Sequence, residues 1–555
     1  MKIWKRSYLG IVALSLVVMT SIGFTYYSDL FFQIKKSITI FSDVFREVSL
    51  NYVDPVNPEK IMETGIDAML STLDPYTVFI DESDNQEINI ITRGKYAGVG
   101  LEVGARGGNL VVIAPLDGYP AYRKGVKAGD IILQVNDHKV TDLSPEELQN
   151  QLRGEPGTHL SLTVKRYNVE QPITFNLVRE VIVIHNVTYY GYINKDKTIG
   201  YILLSHFSEN AGEEVKQAIK KLRETSDLKG LILDLRNNPG GLLSEAVNTL
   251  DNFVKPGVEV VRIKGRDPES NTPYYSSGNP LYLNKPLIIL QNHGSASASE
   301  IVTGALQDLD RAVIVGTNSF GKGLVQVIRP LSYNTALKIT TAKYYTPSGR
   351  CIQAINYTHD KNIHNGKIHI PDSLRKSFKT KNGRTVYNGN GIEPDVKLPE
   401  GNESLLEIAL RQHSMYFFFA NKYVSEHKNF NIKLNNDSLF HAFKDFIDRK
   451  KFTYETNTGH LLNHLRSQLK QQKLLKQAEV HLDSLQKLVN KQYNLEFERE
   501  APEINKELYL ELVSRYQDSK NQIKFELKHD RYVRQAVQIL QNKRKYHRLL
   551  SYVKN

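Results

Sequence analysis

The stretch PLIILQNHGSASASEIVTGALQDL (286–309) determines which fold class this 555-residue chain can adopt. It opens with the short apolar run PLIILQN, which is typical of a buried strand. It ends with SASEIVTGALQDL, whose apolar residues recur at helical spacing. A buried strand that passes through a short turn into a helix is the repeating unit of layered α/β domains. The stretch therefore predicts an α/β domain.

The same alternation extends on both sides of this stretch, from about residue 182 to residue 399. Further apolar runs predict strands, and amphipathic runs between them predict helices: TIGYILLS (198–205), EEVKQAIKKL (213–222), GLILDLRN (230–237), LLSEAVNTLDNFV (242–254) and RAVIVG (311–316). Strands that are apolar along their whole length are typical of sheets covered by helices. We therefore expect one α/β domain over 181–400.

Three other segments differ from this domain in their pattern. Apolar residues at three-to-five spacing predict a helical segment over 31–90. Short apolar runs between glycine-rich turns predict a small β-rich domain over 91–180, with one helix at LSPEELQNQLRG (143–154). The segment 401–555 has one proline and two glycines, and apolar residues from Leu475 to Val489 follow 3-4-3-4 spacing. It predicts a helical C-terminal extension.

Composition limits the chemistry that the chain can carry. Hydrophobic residues make up 40% and charged residues 24%, as in globular proteins. Cys351 is the one cysteine, which excludes an intrachain disulfide, an iron–sulfur cluster and a cysteine zinc site. Zinc-protease helices of the HExxH type and EF-hand loops are absent from the sequence. We expect neither a metal nor a cofactor.

The first thirty residues indicate where the protein works. Three basic residues among the first six precede an uncharged run from Ser7 to Ser28. Basic residues ahead of such a run keep the N-terminus in the cytoplasm, so the rest of the chain is exported. We favour an uncleaved signal-anchor over 1–30 in the bacterial inner membrane, with the bulk in the periplasm. A cleaved signal peptide is the alternative, because its apolar core is shorter.

Excess positive charge is concentrated at the C-terminal end. The net charge is +12, of which +9 lies in 401–555, and residues 531–555 contain seven basic residues and no acidic one. Nucleic acid is not an expected partner of an exported protein. A solvated helical face explains the charge most simply, and contact with an anionic envelope surface is the sharper hypothesis.

Ser297, in the turn GSASASE, is a candidate nucleophile. It follows a predicted strand and begins a helix, where the helix dipole and free N–H groups favour a developing oxyanion. Ser297 and Glu300 also match a helix capping box, which is the commoner reason for this spacing.

A serine nucleophile needs a base, and no histidine stands in a recognisable relation to Ser297. Lys322, between two glycines in SFGKG, is the other candidate base if burial lowers its pKa, and the amide oxygen of Gln326 can orient a lysine amine. A solvated loop lysine and an exposed strand glutamine are the structural alternatives.

Two rival patterns overlap these residues. Gly316 to Lys322 matches the phosphate-binding loop GxxxxGK, but Gly323 stands where a magnesium-binding serine or threonine is needed, and a strand follows instead of a helix. Asp308 invites a pairing with Ser297, but it lies about 16 Å further along the same predicted helix. We therefore expect no nucleotide site and a structural role for Asp308.

The turn NNPGG (237–241) is a candidate part of the same site. It ends a predicted strand, and the ends of strands in α/β sheets are where sites form. Gly240 or Gly241 could offer an N–H group to the oxyanion that Ala298 N–H would bind. A plain turn is the alternative.

A second glycine-rich segment, YAGVGLEV (96–103), lies in the β-rich domain. Before its strand, four successive residues can present N–H groups to a carboxylate, a known mode of capturing a peptide C-terminus. These residues are Gly98, Val99, Gly100 and Leu101. No helix follows them, so the segment does not match a nucleotide-binding fingerprint.

Taken together, these motifs resemble the C-terminal processing peptidases, or tail-specific proteases, which are serine peptidases with a Ser–Lys dyad. The resemblance covers about 31–400 and rests on an ordered set of motifs: YAGVGLEV, GVKAGDIILQVND, DLRNNPGG, GSASASEI, the GKG turn, YYTPSGRCIQ and GIEPDV. It implies Ser297 as nucleophile, Lys322 as general base and Gln326 as the residue that orients the lysine. It also implies a crotonase-like α/β core and a PDZ domain that binds substrate tails, with Arg153 as a residue that couples this domain to the core.

The resemblance predicts a serine endopeptidase that cleaves exported proteins recognised by their C-terminal tails. Its partners would be proteins or peptides with free C-termini, and a homo-oligomer is compatible with this prediction. A membrane-anchored PDZ scaffold on an inactive hydrolase core is the main alternative, and a nucleotide-binding protein is the second. The complete set of Ser297, Lys322 and Gln326 argues against the scaffold, and Gly323 argues against nucleotide binding.

Overall fold

The computed structural model describes residues 29–82, 90, 92–266, 268–354, 372–399, 401, 403–427, 429, 437–454, 456–517 and 519–551. The chain divides into two compact units. The first comprises residues 1–85, 326–340 and 357–360, and the second comprises the remainder. The anchor predicted over 1–30 lies outside the described residues, except for its last two. Within the described ranges, no helix combines the length and the apolar character needed to cross a membrane.

In its described residues, the first unit contains two helices and a small antiparallel sheet. The helices are 29–51 and Pro58–Leu70. The strand Val78–Ile80 pairs with the start of the strand Ala336–Tyr345, which also pairs with Leu324–Pro330. The sheet is therefore built from segments far apart in the sequence.

The prediction of a helical segment over 31–90 is right for these two helices and wrong at Val78–Ile80. The Asp74 carboxylate accepts the N–H groups of Tyr76 and Thr77 at 2.8 and 2.9 Å, which forms a turn and ends the helical region. The next residues lie extended and gain their backbone hydrogen bonds from the distant strand Ala336–Tyr345. Helical periodicity upstream carries no information about that partner.

The β-rich domain of the second unit is an antiparallel sheet with two helices. In sheet order its strands are Leu101–Arg106, Asn109–Pro115, Ile131–Val135, His159–Lys165 and Ile173–Val178, with His138–Lys139 paired to the third. A separate pair of strands, Lys95–Gly98 and Glu180–Val183, lies at its chain ends. The helices are Pro120–Lys124 and Pro145–Leu152. Ser144 caps the second helix through a capping box with Glu147, so the predicted helix 143–154 is confirmed with slightly shorter bounds.

The α/β domain is built on a six-stranded, mostly parallel sheet. Its strands in sheet order are Val187–Tyr192, Ile199–Leu204, Gly230–Asp234, Leu287–Gln291, Val313–Gly316 and Val396–Lys397, and only the first pair is antiparallel. A second sheet contains Glu259–Gly265, Thr272–Tyr275 and the end of Ala336–Tyr345. The hairpin of Ser377–Lys379 and Thr385–Tyr387 stands apart.

Both faces of the six-stranded sheet are buried, as the apolar runs predict. On one face, residues such as Leu231, Leu233 and Ile289 pack against three helices: Ala211–Thr225, Leu243–Leu250 and Ala298–Asp308. On the other face, the alternate residues Ile232 and Ile288 pack against side chains from the end of the chain. Since side chains alternate along a strand, successive residues point to opposite faces of the sheet. One face is covered by the three helices of the α/β domain and the other by the C-terminal helices.

The segment 401–555 is helical in its described part, as predicted. Its helices are Leu405–Gln412, Met415–Glu426, Asp437–Arg449, Asn457–Gln471, Leu475–Arg499, Ala501–Tyr516, Ser519–His529, Arg531–Gln541 and Lys543–Leu549. Most of them pack into a core of their own that is rich in phenylalanine. The last three provide the cover of the second sheet face through Val533, Ile539 and Tyr546, among others.

The basic residues of these last helices lie on their outer side. Arg531, Arg534, Lys543 and Arg544 are exposed, whereas the apolar residues of the same helices face the sheet. This arrangement agrees with the solvated face that the sequence suggests. Contact with an anionic surface stays a prediction.

Candidate active site

Ser297 occupies a strained turn just before the helix Ala298–Asp308. Its φ of 54° and ψ of −113° fall where residues with a side chain are rare. Such strain persists only where the surroundings impose it, and it is typical of a nucleophile at a strand-to-helix turn. Ser297 is half-buried. Capping here comes from the Glu300 carboxylate, which accepts the Ser297 N–H at 2.9 Å.

The turn NNPGG packs directly against Ser297. A Cβ atom on Gly240 would lie 2.8 Å from Ser297 Cβ and 2.9 Å from Ala298 N, which is closer than real Cβ atoms approach. Gly240 also has a φ of 99°, a conformation that favours glycine. The close approach places this turn beside the first N–H group of the helix.

The structure distinguishes between the N–H groups that the sequence offers for an oxyanion. Gly240 N–H donates to Asn238 Oδ1 at 2.9 Å and is therefore already used. The N–H groups of Ala298 and Gly241 have no hydrogen-bond acceptor among the residues that the structure describes. This difference favours Ala298 and Gly241 over Gly240 as donors to a bound oxyanion.

Lys322 lies in a turn that two glycines make possible. A Cβ atom on Gly321 would lie 2.5 Å from Ala354 Cβ, and one on Gly323 would lie 2.8 Å from Gln353 N. The close packing holds the Lys322 backbone in place and leaves the residue half-buried. A strand, Leu324–Pro330, follows the turn. A phosphate-binding loop would continue into a helix, so the turn does not have that architecture.

The carboxylate of Glu300 joins the two turns. It is fully buried, and its Oε2 accepts the N–H groups of Ser297 and Lys322, each at 2.9 Å. Its Oε1 accepts Ser319 Oγ at 2.6 Å and Gly321 N–H at 2.7 Å. Burial raises the pKa of Glu300 to about 7, although the four hydrogen bonds favour the charged form. The backbones of the candidate nucleophile and the candidate base therefore both donate hydrogen bonds to one side chain.

Tyr344 provides a second link between the same two residues. Its buried hydroxyl lies within hydrogen-bond distance of the Ser297 carbonyl oxygen, at 3.2 Å, and of the Lys322 carbonyl oxygen. The sequence pattern does not predict this role of Tyr344, and for Glu300 it predicts only helix capping. One feature of the sequence could have indicated buried hydrogen bonding by Glu300: it is an acidic residue at the start of a helix in which most other residues are small or apolar.

The chain is similar in sequence to known protein families and to individual proteases. The chain matches peptidase family S41 over 198–363, a PDZ domain over 111–166, and a domain described as "Probable PDZ-protease, C-terminal helical domain" over 406–540. A carboxy-terminal-processing protease from Bartonella bacilliformis is 40% identical over 328 residues, which cover 59% of this chain and 74% of that protein. This chain belongs to peptidase family S41, which includes the carboxy-terminal-processing proteases.

Two further proteins are similar to this chain. A "Probable CtpA-like serine protease" from Staphylococcus epidermidis is 31% identical over 433 residues, covering 76% of this chain and 84% of that protein. The solved structure of a photosystem II D1 C-terminal processing protease is 28% identical, covers 65% of this chain and 92% of its own, and gives a TM-score of 0.35. The match over 406–540 covers most of the C-terminal extension, which is therefore similar to the helical domain of probable PDZ-proteases.

Two polar residues near the S41 motifs have settled hydrogen-bond partners. Asp308 forms a buried ion pair with Arg350, at 2.8 Å, and accepts the Ser348 N–H at 3.0 Å. It is structural, as the sequence predicts. Gln326 belongs to the first unit, where its Nε2 donates to Thr340 Oγ1 at 3.0 Å. Its predicted role of orienting a lysine stays a prediction.

The loop predicted to bind a substrate C-terminus lies between two strands of the PDZ domain. Gly98 ends the strand Lys95–Gly98, and Leu101 begins Leu101–Arg106. Between them Val99 is buried, and Gly100 has a φ of 72° with no space for a Cβ atom beside Tyr119. The backbone geometry of the loop therefore requires glycine at position 100, and the role of the loop in binding a substrate C-terminus stays a prediction.

Arg153 lies next to this loop. It pairs with Gly98 in an isolated bridge, and its guanidinium carbon lies 5.8 Å from the centre of the Tyr96 ring. Within the described part of the chain, these contacts are internal to the PDZ domain. The predicted coupling of Arg153 to the peptidase core stays a prediction.

Metal-binding side chains do not converge in the part of the chain that the structure describes. No group of three or more histidine, cysteine, aspartate or glutamate residues there could hold a metal ion. Cys351 is half-buried beside the strand Ala336–Tyr345, and burial raises the pKa of its thiol.

The Glu300→Gln variant tests the role of the shared carboxylate. Glutamine keeps the shape but replaces one acceptor oxygen by an N–H donor, which would face two donors of the turns. We expect kcat/KM for a peptide substrate to fall about 10- to 100-fold, because losing buried hydrogen bonds costs about 1–3 kcal/mol. The matched control is Glu147→Gln, at the same capping position of the PDZ helix Pro145–Leu152, which should keep normal activity. Equal activity of both variants would contradict the assigned role.

The same carboxyl group makes stability depend on pH. Because burial raises its pKa from 4.5 to about 7, the folded protein binds more protons than the unfolded chain between these values. The free energy of unfolding should therefore fall as pH rises from about 4.5 to 7, by up to about 3 kcal/mol from this group. Glu407, with a pKa also near 7, acts in the same direction, so wild type is compared with Glu300→Gln by urea denaturation at each pH. Parallel curves for the two proteins would refute this expectation.

Proposed function

We propose that this S41 peptidase is a serine endopeptidase in which Ser297 is the nucleophile and Lys322 the general base. The observation that carries the proposal is the Glu300 carboxylate, which accepts the N–H groups of both residues. Segments that are 25 residues apart are thereby held side by side around a strained, half-buried serine. A scaffold without catalytic function has no need of this strain.

In the proposed mechanism, neutral Lys322 accepts the proton from the Ser297 hydroxyl as the oxygen attacks the scissile carbonyl. The N–H groups of Ala298 and Gly241 bind the oxyanion of the tetrahedral intermediate. The protonated lysine then gives its proton to the leaving amine, and an acyl-enzyme remains. Water, activated by Lys322, attacks the acyl-enzyme and releases the product. Gln326 is proposed to orient the lysine.

We propose that substrates are recognised through their C-terminal tails. The PDZ domain carries the loop Gly98 to Leu101, whose N–H groups suit a carboxylate, and the adjacent strand Leu101–Arg106 can accept an extended peptide. Relatives are named for carboxy-terminal processing, which agrees with this choice of substrate. The substrates are expected to be exported proteins, with residues 1–30 holding the enzyme at the inner membrane.

Covalent labelling tests the proposed nucleophile and base. A fluorophosphonate probe should label the wild-type protein, because the probe reacts with activated serines. Labelling should be lost in Ser297→Ala and reduced at least about 100-fold in Lys322→Ala, since the serine then lacks its base. The exposed Ser277→Ala variant, in the same domain, is the control and should label normally. Wild-type protein that resists the probe and cleaves no peptide would support the scaffold instead.

A pair of substrates tests recognition of the tail. Two peptides of identical sequence, one with a free C-terminal carboxylate and one amidated, differ only in the group that the PDZ loop would bind. We expect the amidated peptide to show a KM higher by about 10-fold or more, because a charge-assisted hydrogen bond contributes about 1.5–3 kcal/mol. Gly100→Ala, which has no space for its Cβ atom, should abolish this difference. Equal KM values with the wild-type enzyme would exclude capture of the carboxylate.

A further inference from the structure

Arg236 is the residue immediately before the NNPGG turn, and it has partners in two domains. Its guanidinium forms an ion pair with Asp234, at the end of the same strand, and its backbone N–H donates to the same carboxylate at 2.9 Å. On the other side, its Nη1 lies 2.7 Å from Asp530 Oδ2 in the C-terminal helical domain. The ring of Tyr532, also in that domain, lies 5.3 Å from the guanidinium carbon.

Asp530 divides its two carboxylate oxygens between two tasks. Its Oδ1 caps the helix Arg531–Gln541 by accepting the N–H groups of Tyr532 and Val533, at 2.7 and 3.2 Å. Its Oδ2 binds Arg236. The helix is itself fixed to the peptidase sheet by buried side chains such as Val533 and Ile539. Asp530 therefore connects a rigid helix to the strand end that carries the NNPGG turn.

The turn after Arg236 supports the nucleophile through direct contacts. The carbonyl oxygen of Asn238 accepts the Ala296 N–H at 3.0 Å and Ser299 Oγ at 2.9 Å, on either side of Ser297. Asn237 N–H donates to Asn292 Oδ1 at 2.9 Å. Gly240 packs on Ser297 Cβ. A shift of this turn would therefore move the serine and its oxyanion donors together.

The contact with Asp530 is not needed to neutralise Arg236, because Asp234 already does so. Asp530 instead holds the Arg236 guanidinium from the side of the C-terminal domain, opposite to Asp234. A cavity of about 790 Å³ lies beside Arg236, lined by Tyr201, Asn237 and Asn292 as well as by Tyr532. Without Asp530, this cavity gives the Arg236 side chain room to move.

We propose that Asp530 is a positioning residue for catalysis, which acts through Arg236 to fix the NNPGG turn and so links the C-terminal helical domain to the active site. The inference rests on the proposed function, because positioning has a meaning only for a working serine. Its consequence is that the C-terminal domain contributes to turnover, in addition to covering the sheet.

The Asp530→Asn variant separates the two tasks of this residue. Asparagine is as good a helix cap as aspartate, so the helix Arg531–Gln541 keeps its N-terminus. The ion pair with Arg236 is lost. We expect kcat for a peptide with a free C-terminus, and the rate of labelling by a fluorophosphonate, to fall about 10- to 100-fold, because small misplacements of reacting groups cost this much. KM, binding of the tail peptide and the melting temperature should stay close to wild type.

Two control variants distinguish positioning from loss of stability. Arg534→Gln removes a charge from the same helix without touching Arg236 and should keep normal kcat. Tyr546→Phe removes the hydroxyl that accepts the Leu287 N–H at 3.0 Å in the sheet, so it should lower the melting temperature without changing kcat at a temperature where it is folded. Asp530→Glu, which keeps the charge, should recover part of the lost rate.

Three results would overturn the inference. One is a normal kcat in Asp530→Asn with an active wild type, which would leave the proposed function intact. Another is a loss of kcat in Tyr546→Phe as large as in Asp530→Asn, which would show that the helices act only through stability. The third is a wild-type protein that neither cleaves nor labels, which would refute the proposed function together with this inference.

Discussion

The buried carboxylate of Glu300 is the group on which the geometry of the candidate active site depends. A carboxylate removed from water is costly unless its oxygens are hydrogen-bonded, and it can accept about four such bonds. Glu300 receives four, and all of the donors belong to the turn around Ser297 or to the turn around Lys322. Neither turn alone can satisfy it. The cost of burial is therefore offset only in the arrangement that brings the serine and the lysine together.

The C-terminal helical domain has contacts with both of the other domains in the second unit. Its last helices cover one face of the peptidase sheet. Against the PDZ domain, the Phe418 ring leaves no space for a Cβ atom on Gly107, and Asn421 Nδ2 donates to Gly129 O at 3.3 Å. Another hydrogen bond of 3.2 Å joins Asn168 and Ser425. The sequence alone predicts an appended helical extension. In the structure, this extension packs against both the peptidase domain and the PDZ domain.

The sequence predicts much of this structure, and the limits of that prediction have a physical cause. Apolar runs predict the buried strands because they report burial directly, and the glycines beside Lys322 predict a tight turn because few other residues fit one. The role of Glu300 cannot be predicted from the sequence because three of its four donors come from a turn about twenty residues away. The pair of Arg236 and Asp530 is further still, separated by 294 residues. The periodicity of apolar residues shows which face of a strand or helix is buried, but it does not show which distant segment packs against that face.

These long separations bear on how the site is completed. Contacts between distant parts of a chain close large loops, which costs conformational entropy before the contact is gained. Among the described residues, the helical side chains that cover the sheet face containing Ile232 and Ile288 come from the helices that begin at residue 519 and beyond. Arg236 gains its second partner from the same region, so the strand end before the NNPGG turn is bound by Asp234 on one side and by Asp530 on the other. The Glu300 contacts, by contrast, are local to the peptidase domain and need no helix from the C-terminus. Two layers of restraint follow: a local one that joins the turns of Ser297 and Lys322, and a distant one that holds the strand end before the NNPGG turn, where the proposed oxyanion donor Gly241 lies.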